Sequence, residues 1–187
     1  MTNKELFTKI YKDNIKRDGA VALLEYINKT DFFTAPASAK YHEDYEGGLV
    51  EHSINVYNAL SKLNKELNLG FTDESVAIIS LLHDLCKIGY YKVEYRNRKN
   101  EQGKWEQYPF YTTDDAFPYG HGEKSVYMIT QCMDLTYEEA MAIRWHMGAY
   151  EGERSWGTLS KAFTDNPRIM YLHFADMIAT YHKESVK

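Results

Sequence analysis

Residues 76–82 are apolar nearly all round, and this run stops at the adjacent pair His83-Asp84. A helix without a polar face is stable only where other elements surround it, so the run belongs in the middle of a packed domain. The chain must then place a carboxylate and an imidazole at the end of a buried helix. A bare charge there costs several kcal/mol or more, so Asp84 must be paired, metal-bound or neutralised. Two readings stay open at this point. Asp84 can accept a bond from His83 or cap a neighbouring helix, or the pair can belong to a metal site.

The surrounding pattern supplies the helices that such a centre requires. Leu6, Phe7, Ile10, Tyr11 and Ile15 recur at helical spacing, as do Val21, Leu24, Tyr26 and Ile27. Residues 32–48, with Pro36, Ser38 and Gly47-Gly48, read as an irregular segment leading into a helix over 49–67, which Gly70 ends. Asp73 is the expected cap of the next helix. The character changes over 91–113. Tyr91, Val93 and Tyr95 alternate with Lys92, Glu94 and Arg96, and a turn with Gly103 precedes Trp105, which predicts an inserted β-hairpin. A loop over 114–122 leads to helices over 123–133 and 136–146, the second opened by a capping box at Thr136. Residues 148–165 read as loop with one short turn. Pro167 suits the first turn of a last helix that carries Asp176 and fades near Lys183.

Size and charge limit the function. At 187 residues, with 44% hydrophobic and 26% charged residues, the chain suits one globular domain over 1–187. The net charge of −5 argues against non-specific attraction to nucleic acid. No stretch approaches the roughly 20 apolar residues of a membrane span, and the N-terminus reads as a polar helix rather than a signal peptide. Cys86 and Cys132 do not form a CxxC pair, so two reduced thiols and a cytoplasmic setting are expected.

The histidines sharpen the metal reading. His52 follows Gly47-Gly48 by about a turn, and Asp176 lies in the otherwise apolar stretch 170–178. His121 sits between Gly120 and Gly122, while His146 ends a helix before Gly148. Imidazoles with carboxylates suit Fe, Mn, Ni, Co or Zn better than Ca or Mg, and their spacing puts each on a different helix of a bundle. Glu51 and Glu123 flank histidines and can either orient them or lie on the surface. His173 reads as a packing or orienting group, Trp145 and Trp156 as packing residues, and His182 as part of the tail.

"GGLVEHSINV" (47–56), "LLHDLCKIG" (81–89) and "YLHFAD" (171–176) resemble the signature of the HD-domain metal-dependent phosphohydrolase superfamily. "GHGEKS" (120–125) and "RWHMG" (144–148) resemble further histidine motifs of its dinuclear branches. Segment 41–52 is similar to one in the HD domain of a bacterial 3′→5′ exoribonuclease family, although this chain lacks that family's OB-type module and carries the 91–113 insertion. The resemblance implies an all-α HD-domain helical bundle with a small inserted β-hairpin, its metal-site core over about 36–180. It implies one or two divalent transition metals, the first held by His52, His83, Asp84 and Asp176. A second would be held by His121 and His146, with Asp84 bridging. Asp84 and Lys87 would be catalytic, Lys87 binding phosphate or supporting the leaving group; a solvated helix-end lysine is the alternative.

The expected substrate is a small phosphate ester, a nucleotide or nucleotide-derived compound, with a short oligonucleotide also compatible. His42 at the site mouth and Arg96 and Arg98 on the basic, aromatic hairpin are candidate substrate contacts; an ordinary surface histidine and a solvated hairpin are the alternatives. Two other functions fit the same motifs: a dinuclear-iron oxygenase, and a non-catalytic nucleotide-binding sensor.

Overall fold

The computed structural model describes residues 1–39 and 44–184. Helix α1 (Asn3–Asn14) opens with a capping box in which Thr2 and Glu5 satisfy each other's backbone N–H groups. Helix α2 (Ala20–Asn28) follows, and with α1 it delivers Phe7, Tyr11, Leu23 and Ile27 to the core. The irregular segment expected after it leads into α3 (Gly48–Leu67), whose N-cap Gly47 has φ +84°. Only glycine takes that left-handed turn without steric cost. At the far end the left-handed cap is Asn68 (φ 51°) rather than Gly70, which follows two residues later. The side-chain oxygen of Asn64 takes up the N–H of Phe71 beyond this turn.

Helix α4 (Asp73–Leu82) is the buried apolar run, with every residue from Val76 to Leu82 buried. Its cap is Thr72, whose hydroxyl accepts from the Ser75 N–H; Asp73, the expected cap, lies inside the first turn. There its charge faces the positive end of the helix dipole instead. Helix α3 packs on α4, and α1 closes over both. A 3₁₀ turn over Leu85–Lys87 carries the chain away from α4 into the expected hairpin, strands β1 (Tyr91–Lys99) and β2 (Trp105–Thr113). The pair is antiparallel, with Tyr91 opposite Thr113 and Lys99 opposite Trp105.

Helix α5 (His121–Thr130) begins two residues before the expected start, so that His121 is its first residue. Helix α6 (Tyr137–Arg144) has the expected capping box, but it ends before His146, which sits in the following turn. The segment 148–165 differs most from expectation. After two short 3₁₀ turns it forms α7 (Trp156–Asp165), which buries Leu159 and Ala162. Trp156 is half exposed, with its indole N–H donating to the Ala149 carbonyl at 3.1 Å, so it is less of a packing residue than Trp145. Helix α8 (Met170–Ile178) packs on α3 and α6, and a π-helical turn carries the chain on to Lys183. Among the described residues, no helix is long and apolar enough to cross a membrane.

Candidate metal centre

Three helix ends and the flanks of two further helices meet around Asp84. His52 comes from the second turn of α3, His83 from the end of α4, His121 from the start of α5 and Asp176 from α8. His146 enters from the turn after α6. The six side chains expected from sequence thus converge on one point, although 31–37 residues separate Asp84 or His83 from their partners on α3 and α5.

The two oxygens of Asp84 face different neighbours. Oδ1 lies 2.8 Å from His121 Nε2 and 3.5 Å from His146 Nε2. Oδ2 lies 3.3 Å from His83 Nε2, 3.7 Å from His52 Nε2 and 2.7 Å from Lys87 Nζ. His52 Nε2 is also 3.3 Å from Asp176 Oδ1 and 3.3 Å from His83 Nε2. Among the described residues, three sets of donor atoms are close enough to share an ion: His52, His83 and Asp84; His83, His146 and Asp176; and Asp84, Cys86 and His121.

What turns the imidazoles inward is the bonding of their other nitrogens. His83 Nδ1 donates to the Ser80 carbonyl at 2.8 Å, and His146 Nδ1 to the Ile143 carbonyl at 2.7 Å. A carbonyl can only accept, so the proton sits on Nδ1 and the Nε2 lone pair faces the cluster. The Nε2 of His146 is buried and has no hydrogen-bond partner among the described residues. An orphaned lone pair in a set of imidazoles and carboxylates fits a divalent transition metal, which needs that kind of donor.

His52 shows a contact that the sequence did not reveal. Its Nδ1 lies 3.0 Å from Glu184 Oε1, and the Glu184 side chain is fully buried. Asn55 Nδ2 holds the same oxygen at 3.1 Å. Glu51 and Glu123 do not orient the histidines beside them. Glu51 pairs with Asn3 and Tyr45, and Glu123 pairs with Arg144. His173 lines the same cleft and braces the His146 turn, its Nδ1 donating to the His146 carbonyl at 2.7 Å.

Charge balance follows from this packing. Burial alone would raise the Asp84 carboxyl, but Lys87, His83, the bond with His121 and the nearby His146 ring hold it well below the usual carboxylate range. For Lys87 burial works against the charge, yet Asp84 outweighs it and keeps the ammonium protonated. Lys87 also donates to the Ala37 carbonyl at 2.6 Å, so it is a fixed, paired cation rather than a solvated helix-end lysine. His52 is pulled down by burial, but Asp176 and Glu184 carry it up to about 10. A cation entering here therefore displaces a proton. Cys86, buried 3.5 Å from His121 Nδ1, is a reduced thiol pushed up to about 12 by burial and by the charge of Asp84.

The cluster forms the floor of a cleft of about 960 Å³, with His52, Asp84, Lys87, His121 and Asp176 in its lining. That volume is at the upper end of the range for small-molecule sites. Arg96 and Arg98 are not part of the lining. They lie over hairpin rings instead, Arg98 3.8 Å from Tyr108 and Arg96 5.0 Å from Phe110, and Arg98 pairs with Glu106 at 3.0 Å. His42 lies outside the described residues.

Comparison with known proteins agrees with this geometry. A family model for the HD domain matches residues 49–180. A dihydroneopterin 2′,3′-cyclic phosphate phosphodiesterase of Methanocaldococcus jannaschii is 31% identical over 84 residues, which is 43% of this chain. The chain spans only 31% of the length of that relative. No solved structure matches significantly.

Proposed function

Because this chain belongs to the HD-domain family, we propose that it is a metal-dependent phosphohydrolase acting on a nucleotide or nucleotide-derived phosphoester. The observation that carries the reading is the convergence of four imidazole Nε2 atoms and two carboxylates at the floor of a ligand-sized cleft. In this reading His52, His83, Asp84 and Asp176 hold one divalent ion, and His121 and His146 share Asp84 with a second. The division of Asp84's oxygens between the two groups of histidines supports two ions. The metal, drawn from Fe, Mn, Ni, Co and Zn, supplies Lewis acidity toward phosphoryl oxygens and lowers the pKa of water.

The chain's own groups do the rest. Lys87 is clamped by Asp84 and Ala37, so it presents a fixed positive charge at the cleft floor where a phosphate would sit. His83 and His146 keep their donor tautomer because backbone carbonyls hold Nδ1–H. The relative from M. jannaschii is named for a cyclic phosphodiester, which makes 2′,3′-cyclic nucleotides and related cyclic phosphates the first substrates to try.

Elemental analysis of the purified protein and a phosphoester panel test the reading together. One or two transition metals per chain are expected. Cleavage of nucleotide, cyclic nucleotide or short RNA substrates should vanish on chelation and return with metal, and His83→Ala should abolish it. Absence of bound metal, or turnover that depends on dioxygen rather than water, would overturn it.

A further inference from the structure

We propose that the foot of the hairpin forms a subsite for a flat heteroaromatic ring of the nucleobase type, beside the metal cluster. Tyr91, Phe110, Tyr111 and Thr112 line the same cleft as His52, Asp84 and His121. Tyr150 and Tyr181, from the turn after α6 and the turn after α8, line it as well. Six lining residues from separate parts of the chain thus include five rings. Tyr150 and Tyr181 are 62% and 58% exposed, so their faces are available to a ligand, and their hydroxyls approach within 3.4 Å.

Two features distinguish this surface from an incidental aromatic patch. The first is Thr112, whose hydroxyl oxygen is buried and has no hydrogen-bond partner among the described residues. A buried hydroxyl left unpaired is costly, and turning the Thr112 side chain toward the cleft it lines would bring that hydroxyl to the polar edge of a heteroaromatic ring. The second is rigidity. Tyr91 donates its hydroxyl to the Ala37 carbonyl at 3.1 Å, and that same carbonyl accepts from Lys87. The hairpin foot is therefore fixed to the cation that pairs with Asp84, through one shared oxygen.

The rings also hold one another. Tyr90 and Tyr91 meet edge to face at 5.0 Å, and Tyr91 and Tyr111 at 6.3 Å. The guanidinium of Arg96 covers Phe110 at 5.0 Å. Rings already immobilised lose little freedom when a ligand stacks on them, which favours binding. Arg96 thus supports the subsite from behind without entering the cleft.

The role of the subsite in turnover rests on the phosphohydrolase reading, but ring binding does not. The test therefore begins with nucleosides, which carry the ring and no phosphate. Adenosine, guanosine, cytidine and uridine are titrated into the purified protein by calorimetry, with ribose as the ring-free control. Nucleosides should bind and ribose should not. Phe110→Ala should weaken nucleoside binding by roughly tenfold or more, the size expected for losing one stacking ring. Phe110→Leu keeps the bulk without the flat face and should weaken binding similarly, which guards against misfolding of the Ala variant. Thr112→Val, of equal shape, should change the ranking among the four nucleosides. In turnover, Phe110→Ala should lower kcat/KM for nucleotides relative to ribose 5-phosphate.

Failure of every nucleoside to bind a protein that still cleaves phosphoesters would overturn the ring subsite alone. Nucleoside binding without any phosphoester cleavage would leave the subsite standing and overturn the phosphohydrolase reading.

Discussion

At the residue scale, the orientation of His52 depends on Glu184 more than on anything near it in sequence. The two are 132 positions apart, and the carboxylate is buried against Nδ1 at 3.0 Å. A carboxylate on that nitrogen fixes the tautomer and makes Nε2 a better donor. Glu184→Ala should therefore weaken metal binding by about 10–100-fold, as loss of such supporting bonds commonly does. Glu184→Gln, which keeps an acceptor oxygen, should cost less. Competition against a chelator of known affinity measures both, and equal affinity in all three proteins would exclude this role. His52, His83, Asp84 and Asp176 could be picked out of the sequence because each is a polar group in an apolar or glycine-rich setting. Glu184 could not. It sits between Lys183 and Ser185, which resembles any solvated tail, and only the fold reveals its burial. Lys87 was legible as a position, but its pairing with Ala37 requires a segment 50 residues away.

Among elements, the helices are tied together by an ion pair whose residues do not line the cleft and whose carboxylate is buried. Arg17, between α1 and α2, reaches Glu139 of α6 with both terminal nitrogens, at 2.7 and 2.9 Å. Glu139 is 1% exposed, also accepts from Ser75 of α4 at 2.8 Å, and closes the capping box with Thr136. Removing one partner leaves a buried charge, so Arg17→Ala should destabilise the protein by about 3–5 kcal/mol in urea unfolding. Burial would raise the Glu139 carboxyl, but Arg17 and the bonds from Thr136 and Ser75 lower it below its ordinary 4.5. A depressed folded value means the contribution is complete above pH 4.5 and is lost as pH falls through that folded value. Between pH 5 and 3 the urea midpoint of the wild type should thus fall more steeply than that of Glu139→Gln; parallel curves would count against the linkage. The contact of α5 with α6 is tighter still. A Cβ at Gly122 would meet the Arg144 carbonyl oxygen at 2.3 Å, so Gly122→Ala should cost about 1–3 kcal/mol by forcing these helices apart. Helix α7 escaped the sequence reading for a related reason. Its apolar positions Leu159, Ala162 and Phe163 are diluted by Gly157, Thr158, Ser160 and Thr164, and tertiary packing rather than propensity makes it helical.

For the whole molecule, the bundle and the hairpin are separate in what stabilises them. The core residues Phe7, Phe32, Leu49, Leu60, Ile78 and Leu82 are all fully buried and come from helices or the segment before α3. The outer hairpin contributes nothing comparable, since Val93, Tyr95 and Trp105 are 49%, 65% and 69% exposed. Its cohesion is local: cross-strand pairing, the Arg98–Glu106 ion pair, and cations lying over Tyr108 and Trp105. An isolated two-stranded ribbon of this kind is marginal in water. Alternation of residues made the hairpin legible in sequence, whereas its pinning to Lys87 and Asp84 depends on a fold the sequence does not display. Replacing residues 95–109 by Asn-Gly, a dipeptide suited to a two-residue hairpin turn, joins Glu94 to Phe110 and keeps the foot. Because little apolar area is lost, the thermal midpoint should move by no more than roughly 2–4 °C, the shift expected for about 1 kcal/mol in a chain of this size. Metal content should be unchanged, since every cluster residue lies outside the excised segment. A fall of ten degrees or more, or loss of metal, would mean that the outer hairpin stabilises the bundle and the centre it encloses.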